Sequence, residues 1–268
     1  MTSRRISARK AFGVPHLAAT VAAAAILLLS PGALGDGAVA TIERVKSSVV
    51  AVGTYERTRT PAFQFRATGF AVGDGTLIAT NAHALPGLLD SERRETLAIV
   101  VPAADAQSQL REAREIAVDP GTDLALLKIT GQRLPALKLG SLDNVREGQA
   151  VLFTGFPIGG VLGLYAATHR GMVAAITPIA IPPPAAANLD PRVIRRLAAG
   201  SLPVLQLDAT AYPGNSGSPV YDPDTGEVLG IINMVFVKGT KEAALTQPSG
   251  ITYAIPAKHL QALLTKAN

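Results

Sequence analysis

The chain has 268 residues, 48% hydrophobic and 17% charged, which suits a large globular core and excludes a disordered chain. Its formal charge of +5 is concentrated at one end. Four Lys/Arg and one Asp fall within residues 1–40, so the remainder carries only +2 and gives no electrostatic case for nucleic-acid binding. With 4% aromatics and no Trp the chain lacks stacking platforms for single-stranded nucleic acid, and with no Cys it forms neither a disulfide nor a lipoprotein anchor.

Residues 1–40 have the order of a targeting segment. A basic start, "MTSRRISARK", precedes a short apolar run from Leu17 to Leu29, and "SPGALGDGAVA" follows with small residues and helix breakers. This predicts a secretory signal peptide, cleaved after Gly35 or Ala40, whose apolar run is shorter than the ~20 residues of a spanning helix. A retained N-terminal membrane anchor is the alternative. Arg4 and Arg5 match twin-arginine export only weakly, because "ISA" does not continue that pattern. Either way the rest of the chain is expected outside the cytoplasm, periplasmic or secreted.

From Thr41 the pattern is mostly short strands. "TIERVKSS" predicts a turn or two of helix and "VVAVGTY" a strand. "FQFRATGFAVGDGTLIAT" predicts a hairpin turning at Gly73-Asp74-Gly75. "LAIVV", "REIAV", "LALLKI", "QAVLFTGF", "GMVAAI" and "PVLQL" are further strands, separated by Gly, Pro and Asp clusters. A second hairpin turns at Pro223-Asp224-Thr225-Gly226, "GITYAI" follows, and Pro256 opens a terminal helix, "AKHLQALLTK". Many short strands with few helices predict a sandwich or barrel, not a doubly wound sheet. Residues 178–203 break this rhythm: a Pro-rich entry, then a short helix with Asp190 as N-cap and Pro191 at N1, predict a surface insertion. "RVIRR" within it is a solvated helix face more readily than a binding patch.

The stretch "AYPGNSGSPVYD" sets Ser216 between two glycines. A serine hydroxyl needs a base to take its proton, and the base needs a carboxylate to fix its tautomer. Of the four histidines, His16 lies in the targeting segment, His259 in the terminal helix, and His169 follows a loop with no acidic neighbour. His83 instead stands where the apolar strand of "TLIATNAHAL" ends. Asp123, at the mouth of "LALLKI", would need a partner if buried, while Asp119 suits the turn "DPGTD" better. His83, Asp123 and Ser216 therefore come in the order His…Asp…Ser, each at a strand–loop junction. No HExxH, Walker or cysteine metal motif competes, so no cofactor or metal is expected.

These blocks together resemble the trypsin-like serine peptidases of the chymotrypsin fold, especially the HtrA/Deg type. The resemblance runs through "ATGFAVGDGTLIATNAHAL", "DLALLKI", "GFPIGG", "HRGMVAAI", "LQLDATAYPGNSGSPVYD", "VLGIIN" and "GITYAIPAKHLQALL". It implies an all-β fold of two six-stranded antiparallel barrels with a short C-terminal helix, spanning 41–268 with its subdomain boundary near 135–148. It implies an endopeptidase with His83 as general base, Asp123 as its orienting carboxylate and Ser216 as nucleophile. The amides of Gly214 and Ser216 would form the oxyanion hole, and protein or peptide segments would be the substrates, in a role such as envelope protein quality control. The insertion at 178–203 corresponds to a loop that gates the site in HtrA relatives. The S1 pocket would be lined by Thr210, Ile232 and Met234, favouring small to medium apolar P1 residues. "GSPV" departs from the second glycine usual in the HtrA type and is closer to glutamyl endopeptidases, but "GIINMVF" lacks their pocket histidine. No PDZ sequence follows, and oligomeric state is left open. A silent binding protein on the same fold and an esterase-like hydrolase are the competing readings.

Overall fold

A computed structural model of the chain describes residues 33–102, 108–179, 202–233 and 250–267. The chain divides after Asp36 into two compact units, and the strands all belong to Gly37–Asn268. Helix α1 (Ala33–Lys46) is longer than the turn or two expected of "TIERVKSS". Arg44 and Lys46 lie in its last turn, where cations suit the exposed carbonyls. Arg44 also donates to the Thr225 carbonyl at 2.9 Å, tying α1 to the second hairpin turn.

Among the described residues, twelve strands follow in two groups. β1 (Val49–Tyr55), β2 (Phe63–Val72), β3 (Leu77–Asn81), β4 (Thr96–Val101), β5 (Gln109–Asp119) and β6 (Leu124–Ile129) close a barrel in the order β1-β2-β3-β6-β5-β4. β7 (Ala150–Gly155), β8 (Ala167–Ile179), β9 (Leu202–Asp208), β10 (Pro219–Tyr221), β11 (Val228–Asn233) and β12 (Ile251–Pro256) close a second, in the order β10-β11-β12-β9-β8-β7. The expectation of two six-stranded antiparallel barrels holds. Both predicted hairpin turns are present: Thr76 N–H donates to the Asp74 carboxylate at 3.0 Å, and Asp222 accepts from the amides of Asp224 and Thr225. One strand starts earlier than "GMVAAI" suggested. His169 lies inside β8, its ring stacked on that of Phe153 with centroids 4.7 Å apart, rather than after a loop.

Three apolar cores explain the near-continuous apolar strands. Val50, Val52, Ile78, Ile99 and Leu127 fill the first barrel, and Val151, Phe153, Leu205, Leu207 and Val220 the second. A third core lies between them, built from Val49, Phe70 and Leu124 on one side and Phe156, Tyr221, Ile231 and Ile255 on the other. β1 thus buries alternate side chains in two different cores, which leaves no polar face to read as alternation. Helix α2 (Ala257–Ala267) packs on β5, β6, β11 and β12 and adds Leu260 and Leu263 to the interbarrel core. The connection from β6 to β7 runs along both barrels: Leu137 N–H donates to Ala71 O, and Lys138 O accepts from Val228 N–H. His83 and Asp123 stand beside strand ends of the first barrel, and Ser216 on a loop of the second.

Candidate active site

The pairing of β3 with β6 brings His83 to Asp123. Their register sets Asn81 opposite Leu124, so the residues just beyond Asn81 and just before Leu124 are neighbours despite 40 positions of separation. Ala82–Ala84 form a 3-10 turn, and both the Ala82 amide and the Asn81 side-chain amide donate to the Asp123 carbonyl, at 3.0 and 3.1 Å. Asp123 itself has φ of 55°, a left-handed conformation that Asp tolerates better than most residues. The turn before it is closed by Asp119, which accepts from Gly121 N–H and the Thr122 hydroxyl at 2.9 Å each.

The Asp123 carboxylate is held from three directions. Oδ1 accepts from His83 N–H at 2.9 Å; Oδ2 accepts from His83 Nδ1 at 2.6 Å and from Asn233 Nδ2 at 2.8 Å. An ionised carboxylate only accepts, so in the neutral ring the proton sits on Nδ1 and Nε2 keeps its lone pair. That is the tautomer a general base needs. Asn233 ends β11, fully buried, and was not picked out from the sequence. The available signal was a polar residue closing the otherwise apolar run "VLGIIN".

Ser216 stands on the loop between β9 and β10, 6% exposed. Four successive carbonyls of this loop are anchored. Pro213 O accepts from Ile158 N–H at 2.7 Å and Gly214 O from the Thr68 hydroxyl at 2.8 Å. Asn215 O accepts from Ser218 N–H at 3.0 Å and Ser216 O from Thr68 N–H at 2.9 Å. In a trans peptide the N–H points opposite to the C=O, so anchoring Pro213 O and Asn215 O aims the Gly214 and Ser216 N–H groups the other way. Among the described residues neither amide donates to a protein group. The loop needs glycine at two points: Gly214 has φ of 101° and a Cβ there would stand 2.3 Å from Phe156 O, and Gly217 has φ of 85° with Thr68 O at 2.1 Å. Gly217 N–H donates to Ile232 O and Ile232 N–H to Ser218 O, so adjacent residues of β11 hold both this loop and, through Asn233, Asp123.

Ser218, where the motif departs from the usual second glycine, is fully buried. A Cβ on Gly155 would come within 2.0 Å of its Oγ, so glycine at 155 leaves the volume that the Ser218 side chain fills.

The expected specificity residues are less concentrated. Thr210 is half-buried just before the loop, while the Ile232 side chain is fully enclosed in the second-barrel core. Met234 lies outside the described residues, as do 180–201 of the insertion and the targeting segment through residue 32. The ends of that insertion are described, and they are strand: Pro178 pairs with Pro203 and Ile179 with Leu202. Among the described residues no helix is long and apolar enough to cross a membrane.

Comparison with known proteins agrees with the two-barrel fold. The family described as the trypsin-like peptidase domain matches residues 67–231. The chain is 33% identical over 190 residues to a DegP-like periplasmic serine endoprotease of Pseudomonas fulva (strain 12-X), covering 70% of this chain and 32% of that one. It is 29% identical over 200 residues to a counterpart in Marinomonas sp. (strain MWYL1), covering 71% and 33%. It therefore spans about a third of the length of these curated relatives. Among solved structures, the HtrA-type protease AlgW with a tripeptide matches with a TM-score of 0.59 at 24% identity, covering 85% of this chain and 62% of that one. Deg5 matches with a TM-score of 0.59 at 21% identity, covering 85% and 92%. Paired barrels and a family match across both of them lead to one conclusion: the chain belongs to the trypsin-like peptidase family, and within it is similar to the HtrA type.

Proposed function

We propose that the chain is an exported serine endopeptidase that cleaves peptide bonds through an acyl-enzyme. The observation that carries this reading is the Asp123 carboxylate, which accepts from His83 Nδ1 and leaves Nε2 free as a base. In that reading Nε2 takes the proton of Ser216 Oγ as Oγ bonds to the scissile carbonyl carbon. The carbonyl oxygen, now negative, accepts from the Gly214 and Ser216 amides, an effect typically worth ~3–4 kcal/mol per donor. Asp123 stabilises the imidazolium, which then protonates the leaving amine. Water repeats the sequence on the ester and restores Ser216. Asn233 adds a second donor to Asp123 Oδ2 and keeps the carboxylate aimed at the ring. Protein or peptide segments outside the cytoplasm, with small to medium apolar P1 residues, are the substrate class; clearance of damaged envelope proteins is the role that fits the periplasmic names of the relatives.

The test is labelling of the folded protein with a fluorophosphonate probe. Labelling that Ser216→Ala abolishes is expected. A folded sample that is not labelled favours a binding protein on the same fold, and turnover of a simple ester without casein cleavage favours an esterase. A peptide-library profile dominated by Lys, Arg or Glu at P1 would overturn the substrate class.

A further inference from the structure

We infer that Thr68, in the first barrel, is the positioning residue that sets the oxyanion loop of the second. Thr68 lies in β2 and is fully buried. All its polar atoms are engaged. Its N–H donates to Ser216 O at 2.9 Å, and its carbonyl accepts from the Thr80 hydroxyl at 2.7 Å. Its hydroxyl accepts from Phe156 N–H at 3.1 Å and donates to Gly214 O at 2.8 Å. A hydroxyl has one proton. The Phe156 amide nitrogen donates and has no lone pair to accept with, so the hydroxyl proton is directed to Gly214 O and the rotor is fixed.

What this does follows from the order of the peptide planes. The two N–H groups that would face an oxyanion belong to the planes Pro213–Gly214 and Asn215–Ser216. Between them lies the plane Gly214–Asn215, whose carbonyl is the one that Thr68 Oγ1 holds. If that plane rotates, the planes on either side must turn with it, because each shares a Cα with it. Of the four carbonyl anchors on this loop, this is the one made by a side chain; the others are main-chain N–H groups that survive any substitution but proline. The other end of the same plane, Asn215 N–H, donates to Tyr212 O at 2.9 Å within the loop itself, so the bond from Thr68 is the one that ties this plane to the first barrel. Thr68 also carries two of the four, and both cross from one barrel to the other. The simplest competing account is that threonine merely suits a β-strand. Valine would serve that purpose equally well at a fully buried position, without a hydroxyl to satisfy.

Gly155 belongs to the same device. A Cβ there would meet Thr68 Oγ1 at 2.8 Å and Asn215 Oδ1 at 3.0 Å as well as Ser218 Oγ. The hydroxyl therefore works in a space that the end of β7 keeps open.

This assignment rests on the reading of Ser216 as nucleophile, and the experiment separates the two. Thr68→Val and Thr68→Ser are compared with wild type in active-site-titrated peptide hydrolysis, together with inhibition by a peptide aldehyde, whose hemiacetal oxygen would occupy the oxyanion position. Thr68→Val is expected to lower kcat roughly 10- to 100-fold, as small misplacements of a preorganised site do, with KM changed less than about threefold. Aldehyde affinity is expected to fall in parallel, and Thr68→Ser to stay within about threefold of wild type in all three. Should Thr68→Val not fold, Thr68→Ala, which cannot overcrowd the site, carries the same expectation. A valine or alanine variant with wild-type kcat overturns the assignment, as does a serine variant as impaired as the valine one. Wild-type protein that no fluorophosphonate labels overturns the peptidase reading instead.

Discussion

At the residue scale, the Asp123 carboxylate does two separable things. It fixes the protonated nitrogen of His83 through Oδ2, and it accepts the His83 main-chain N–H through Oδ1. Asp123→Asn keeps the size of the side chain but can present an N–H to Nδ1, which would move the ring proton to Nε2. We expect kcat/KM to drop on the order of 10³- to 10⁴-fold with little change in thermal midpoint, measured by hydrolysis assay and circular dichroism. Gly217→Ala is expected to behave in the opposite way. The left-handed φ and the Thr68 carbonyl at 2.1 Å from a Cβ force the loop to move, so stability and activity should fall together. His83 and Asp123 stood out in the sequence because each is a reactive type beside a strand end, and Ser216 because two glycines flank it. Asn233 and Thr68 did not, since an Asn after an apolar run and a Thr within one are ordinary residues. Only the register that sets Asn233 on Asp123 and Thr68 under Gly214 gives them a task.

At the element scale, the segment after His83 is stapled to the β1–β2 connection by Glu95. Its Oε1 accepts from Arg59 at 2.8 Å, and Arg59 also donates to the carbonyls of Thr54 and Ala62. The Thr54 hydroxyl first, and then Arg59, hold the Glu95 carboxyl down to about 2 from an ordinary value of 4.5. The folded state therefore favours the ionised form. The stability this contributes is complete above about pH 4.5 and is lost as pH falls toward about 2. Glu95→Gln should lower the thermal midpoint at pH 7, and the gap from wild type should close between pH 4.5 and 2. A gap that stayed constant over that range would show that packing, not charge, is lost. Strand positions were largely readable because Gly, Pro and Asp punctuate them; extents were not. β8 runs back to Ala167 because its pairing with β7 continues to Gly155, a tertiary contact that leaves no mark on the local pattern.

For the whole molecule, the two barrels share an apolar core in addition to the one inside each. Leu260 of α2 is fully buried there, on a helix that touches strands of both barrels. Leu260→Ala should cost about 2–5 kcal/mol in urea unfolding monitored by circular dichroism, the usual range for a buried leucine. The transition should remain single, since the side chain belongs to both halves. Two transitions after the substitution would mean that the barrels unfold separately. The two-barrel architecture was expected from resemblance, not from periodicity. Strands buried on both faces carry no alternation to say which core each side chain enters.

The β8–β9 pairing has one more consequence. Chain leaves the second barrel at Ile179 and returns at Leu202, directly across the ladder, with Pro178 and Pro203 paired below them. Whatever joins two such points makes no demand on register, and loop closure grows by only about 0.6 kcal/mol for each doubling of length. The connection can therefore be lengthened, shortened or exchanged as a cassette while the barrel beneath it keeps its hydrogen bonds. For grafting a reporter or a recognition peptide, this end of the β8–β9 pair is the natural port of entry.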